Sequence, residues 1–63
     1  MMQFFKPGTI WYNSRTNHLY AIISVTDGLV SYFTPYEKEI RHKAFKEFET
    51  MYNRGNFNIY AEV

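Results

Sequence analysis

The sequence predicts a small α+β fold, an antiparallel β-sheet with one amphipathic helix before its last strand, and three observations carry that expectation. Residues 18–26 alternate in hydropathy with the two-residue period of a strand. Asp27-Gly28 follows at once, a dipeptide that tolerates the positive φ values required at both central positions of a type I′ hairpin turn. Further on, Ile40, Ala44, Phe45, Phe48, Met51 and Tyr52 recur at three- and four-residue steps, the spacing of one helix face, and stop at Asn53-Arg54-Gly55. A chain of 63 residues holds a single domain, 1–63, because at this length only about 60% of the unfolded surface is buried on folding.

Taken in order, Lys6-Pro7-Gly8 marks a turn, since proline fixes its own φ and glycine lets the backbone reverse. Thr9–Asn13 then forms a first strand, with Ile10 and Tyr12 on one face and Trp11 on the other, and the polar run 13–17 forms a loop. In the second strand Leu19, Ala21, Ile23 and Val25 are assigned to the core, and His18, Tyr20, Ser24 and Thr26 to the outside. Ile22 breaks the polar side of this pattern, which points to an outer face that is covered or makes a contact. The third strand, 29–34, is apolar on both faces, Leu29 and Phe33 against Val30 and Tyr32, so either face can be inward.

Thr34-Pro35-Tyr36-Glu37 has the form of a capping box with proline at the first helical position. A helix starting there gains the i,i+4 pairs Glu37–Arg41 and Glu39–Lys43 and sets its charged residues opposite the apolar stripe. Residues 36–42 also admit a second reading, in which Lys38, Ile40 and His42 alternate along a short strand and the helix occupies only 43–53. Gly55 suits the left-handed residue after the last turn. A closing strand sets Phe57, Ile59 and Ala61 against Asn56, Asn58, Tyr60 and Glu62.

Composition narrows the function. Without cysteine there is no disulfide framework, no thiolate-bound zinc and no cysteine nucleophile, so the 21% of aromatic residues must supply the core's stability. A net charge of +1 falls short of the basic excess of a dedicated nucleic-acid binder. The longest apolar stretch, residues 20–23, cannot span a bilayer, and Met1–Lys6 lacks the apolar region and cleavage site of a signal peptide, so no membrane association and a cytoplasmic location are expected.

Catalytic groups are sparse. His18 and His42 lie far apart in sequence, with no neighbouring ligand pattern, so no metal site is expected. Ser14, Ser24 and Ser31 lack a nucleophile elbow, and the three glycines are all used by turns or caps. Glu37 with Glu39, and Glu47 with Glu49, are spaced by two and diverge on a helix, as a solvated face does. The expectation is a protein that is not an enzyme and uses no cofactor.

Surfaces remain. Trp11, Tyr20, Ile22 and Tyr60 have outward parity and Tyr36 sits by a turn, so together they are the candidate protein-binding patch, Trp and Tyr being the residues that dominate interface hot spots. The competing reading places Trp11 and Tyr20 in the core. Surplus apolar strand residues also allow a homodimer. The alternative function is nucleic-acid binding, with Arg15, Arg41 and Lys43 on phosphates and Trp11 or Tyr20 stacked on bases. Against it, Glu37, Glu39, Glu47 and Glu49 are interleaved with the basic residues.

Pro7-Gly8-Thr9-Ile10-Trp11, Ile22-Ile23-Ser24-Val25, Asp27-Gly28, Val30-Ser31-Tyr32 and Phe45-Lys46-Glu47-Phe48 together give residues 7–48 a pattern that resembles short phage- and prophage-encoded proteins of SH3-like, partly open barrel design. The chain departs from that pattern in its charged segment 37–43 and in its extra strand after Gly55. The resemblance implies a binding module carried by a mobile genetic element, one that modulates or inhibits a host protein in the host cytoplasm.

Overall fold

A computed structural model describes residues 5–62; Met1–Phe4, the main part of the segment read as lacking a signal peptide, lie outside the described residues. Five strands, β1 (Thr9–Asn13), β2 (His18–Thr26), β3 (Leu29–Thr34), β4 (Glu39–Ala44) and β5 (Phe57–Glu62), and one helix, α1 (Phe45–Asn53), follow in the order β1-β2-β3-β4-α1-β5. The strands form one antiparallel sheet in spatial order β4-β3-β2-β1-β5. This is the expected α+β fold, with the helix before the last strand.

Local chemistry accounts for the connections. Asp27 and Gly28 take φ values of 51° and 75°, the doubly positive conformation of the expected type I′ turn, and Thr26 pairs with Leu29 across it. Gly8, at φ 89°, turns the chain so that its N–H reaches the Ile22 carbonyl and extends the β1–β2 ladder.

The capping-box residues close a turn and start no helix. The N–H groups of Glu37 and Lys38 both bond to the Thr34 carbonyl, as a first helical turn would, but Lys38 then enters the left-handed region at φ 56° and the chain reverses into β4. β4 gains a full ladder to β3 in exchange for that turn of helix. Of the two readings of 36–42, the strand is the one found, and the helix is confined to 45–53. The residue before the helix, Ala44, offers no side-chain cap; the Phe45 N–H is satisfied by the Gly28 carbonyl at 2.8 Å, which fastens the helix start to the β2–β3 turn.

The core lies between α1 and one face of the sheet, and it reverses the strand parity expected from sequence. Trp11, Tyr20 and Ile22 are 5%, 8% and 4% exposed, whereas Leu19 and Ala21 are half-buried and Ile23 is exposed. Periodicity favours the odd-numbered set of β2, yet it is the set carrying Tyr20 and Ile22 that goes inward, where the Tyr20 ring meets Phe48 of the helix and Phe57 of β5. A bulge between Ile22 and Ser24 then shifts the register by one residue and brings Val25 back toward the core, so the assignment of Val25 holds where that of Ile23 fails. In β3 the inward residues are Val30, Tyr32 and Thr34.

Phe5, Phe48 and Phe57 are fully enclosed and stand 5.4–5.9 Å apart, mostly tilted or edge-on, and Trp11 stacks on Phe57 at 5.2 Å. The indole N–H donates to the Thr9 hydroxyl, which donates in turn to the Lys6 carbonyl, so the one polar group of that ring is satisfied.

Candidate functional site

The five residues expected to form one exposed aromatic patch are not brought together. Trp11, Tyr20 and Ile22 belong to the core. Tyr36 and Tyr60 are exposed, at 77% and 66%, but the first leans on His18 and the second on Tyr12, on different strands. The corrected parity nonetheless leaves an apolar surface on the opposite side of the sheet.

Cross-strand partners in a sheet share a face. Reading the register outward from β2, Ile40 pairs with Phe33, Phe33 with Ala21, Ala21 with Ile10, and Ile10 with Ala61. One apolar residue from every strand thus lines up in a single row across the outer face. Tyr12 and Leu19 form a second cross-strand pair beside it. Ile40 is 60% exposed, and Ile10, Ala21, Phe33 and Ala61 are half-buried although no element of the described residues packs over them. None of the positions on this face is Asp, Glu, Lys or Arg: the charged strand residues Glu39, Arg41 and Lys43 pair with Thr34, Tyr32 and Val30 and so lie on the core side. An uncharged sheet face with a continuous apolar row is unusual for an exposed surface.

At one edge of this face Ser31 Oγ lies 2.8 Å from His42 Nδ1, across β3 and β4. Sequence reading did not place these two side by side, since only the strand register reveals it. The pair is solvent-exposed, and among the described residues no carboxylate forms an ion pair with His42, so the arrangement lacks the third group that orients a catalytic imidazole. His18 stands on the core side, opposite Asn13, and the two histidines therefore face away from each other. Among the described residues no three His, Asp or Glu side chains stand together as a metal-binding group.

Two of the three basic residues of the nucleic-acid reading are already engaged. Arg41 contacts Glu37 at 2.9 Å and Glu39 at 3.5 Å, and Lys43 contacts Glu47 at 3.7 Å; Arg15 stands apart in the β1–β2 loop. The expected Glu37–Arg41 pair thus forms across a turn and a strand, while Lys43 takes Glu47 in place of Glu39. Such exposed pairs add little stability, but they neutralise the cations that phosphates would need.

Arg41 and Lys43 also border an open cavity of about 180 Å³, walled by His18, Tyr20, Tyr32, Tyr36 and Glu37 at the end of the core that α1 leaves uncovered. Burial pushes the phenols of Tyr20 and Tyr32 above their ordinary value of 10.0, partly offset for Tyr20 by hydrogen bonds from the Thr16 and Asn13 side chains. A raised phenol favours the neutral form in the folded chain, so this contribution to stability is complete below pH 10 and is lost as pH rises through the folded-state values. Denaturant melts at pH 8, 10 and 12 are therefore expected to show no loss from these groups up to pH 10 and a fall above it. The double variant Tyr20→Phe, Tyr32→Phe should lessen the fall, and an equal fall without both phenols would refute their part in it.

No helix among the described residues is long and apolar enough to cross a membrane. Comparison of the chain with family models, with curated proteins and with solved structures returned no match.

Proposed function

We propose that the chain is a non-enzymatic interaction protein that binds a partner protein through the outer face of its sheet and acts by covering the partner's working surface. The observation that carries this reading is the uncharged row Ile40–Phe33–Ala21–Ile10–Ala61, one apolar residue per strand with no element of the described residues packed over it. The face is built on hydrogen-bonded strands, so few groups lose freedom on binding, which favours affinity from a small surface.

The SH3-like, partly open barrel is part of the same proposal. Its support is that β1–β4 run as a meander, that β5 returns beside β1, and that α1 touches both unpaired edges, β4 and β5. The resemblance of residues 7–48 makes a bacterial host protein the partner and the host cytoplasm the place of action.

A tagged chain passed through bacterial lysate tests the reading. One protein should be retained equally with and without nuclease, and its retention should change little between 0.1 and 0.5 M salt, because apolar contacts are not screened. Retention that disappears with nuclease or falls steeply with salt would replace this function with nucleic-acid binding through Arg15, Arg41 and Lys43.

A further inference from the structure

We infer that, when no partner is bound, a second copy of this chain occupies the outer face, so that a weak symmetric dimer holds the surface shut and partner binding must compete with it. The inference rests on the outer face being the binding surface proposed above and adds its regulation.

The first argument is charge. A two-fold interface sets a surface against itself, so any charge near the axis meets its like. Most exposed surfaces fail that condition; this face meets it, because Arg, Lys, Asp and Glu are absent from its register positions. Its polar pair, Ser31 and His42, is already hydrogen-bonded within the sheet through Nδ1, so covering it leaves only the second imidazole nitrogen to be met.

Shape gives the second argument. From Phe33 to Ala61 large and small residues alternate, Phe33 then Ala21, Ile10 then Ala61, with Ile40 beside Phe33 at the end of the row. A two-fold axis running parallel to the strands between β2 and β3 sets Phe33 of each copy over Ala21 of the other, a ring into a gap twice over.

Area sets the strength. Five strands about 4.8 Å apart, each about five residues long at about 3.4 Å per residue, give a face of roughly 20 by 17 Å. Two such faces hide roughly 700 Å² at most, below the ~1,000 Å² of a specific interface and in the range of weak contacts. The dimer is therefore a transient one, weak enough for a better-fitting partner to displace.

Sedimentation equilibrium of the full chain from about 1 μM to 1 mM tests this. The mass should rise from the 7.6 kDa of one chain toward twice that value, and the melting temperature should rise with concentration. Phe33→Lys and Ala21→Glu should each remain monomeric alone and pair when mixed, because the axis sets residue 33 of one against residue 21 of the other. Circular dichroism establishes that each variant is folded, and Phe33→Arg replaces Phe33→Lys if the lysine variant is not. A wild-type chain that stays monomeric at 1 mM, variants that dimerise as well as wild type, or a mixture that fails to pair would each overturn the inference. A monomeric wild-type chain that still captures its partner through this face would leave the proposed function standing, whereas a dimer with no partner captured would remove the function and keep the dimer.

Discussion

Phe48→Ala is expected to leave the chain unfolded at room temperature. Phe48 is the fully buried residue of α1, and its ring lies 5.3–5.6 Å from those of Phe5, Tyr20, Tyr32 and Phe57. Truncating a buried phenylalanine costs about 3–5 kcal/mol, the transfer of the ring plus the cavity left behind. A domain below 70 residues without disulfide or metal has about 3–5 kcal/mol in total. The loss therefore equals what the fold has to lose. Phe48 joins sheet and helix directly, and the helix has little independent stability, being only nine residues long and without a side-chain cap at its N-terminus. Far-UV circular dichroism with thermal melting should show no cooperative transition for Phe48→Ala, and a lowered one for Phe48→Leu, which refills part of the space. Tyr36→Ala, at a residue with most of its surface in solvent, should melt within about 0.5 kcal/mol of wild type. A cooperative Phe48→Ala melt close to wild type would mean that the aromatic cluster does not concentrate the stability as its geometry indicates.

How far the sequence discloses this molecule depends on whether the signal is local. The hairpin at Asp27-Gly28, the strand limits Thr9–Asn13, His18–Thr26 and Leu29–Thr34, and the helix stop before Gly55 all depend on turn chemistry or periodicity within a few residues, and each is where that chemistry places it. The sheet's inward face was not legible, because β1 and β3 are apolar on both sides and the choice depends on which set of rings fits under Phe48, which lies 16 residues from Tyr32 and 37 from Trp11 along the chain. Ile22 carried the clue, as the residue that spoiled an otherwise polar outer pattern, and the structure resolves it by making that face the core. The bulges at Ile22/Ser24 and at Ile10/Trp11 were equally invisible, since a bulge is a relation between two strands. Pro35 and Glu37 suited a helix start as well as a turn; the ladder available from β3 decided between them. The candidate site suffered most from the parity error, since three of its five residues depended on it, and the outer row could be assembled only from pairing register.

That inversion separates two variants that the sequence alone would have treated alike. Trp11→Ala reads from sequence as the removal of a contact residue from an intact fold. In the structure the indole stacks on Phe57, stands edge-on to Phe5 at 5.0 Å and donates to Thr9, so its removal costs about 3–5 kcal/mol and takes the fold with it. Capture is lost, but so is the cooperative melt, and the loss reports nothing about contact. Phe33→Lys acts on the other face. Its side chain is half-buried between Ala21 and Ile40, and a lysine there keeps its stem on the sheet and its ammonium in water, so the stability change should stay near 1 kcal/mol, the span of strand preferences at an open position. In a bound complex that same ammonium has no carboxylate on the face to meet and must be desolvated in the middle of an apolar row, a cost of several kcal/mol that reduces affinity at least a hundredfold. Measured together, melting and capture should show Trp11→Ala losing both and Phe33→Lys losing capture alone. Full capture by folded Phe33→Lys would show that the partner contacts some other surface, because a charge buried at the centre of the row could not go unfelt.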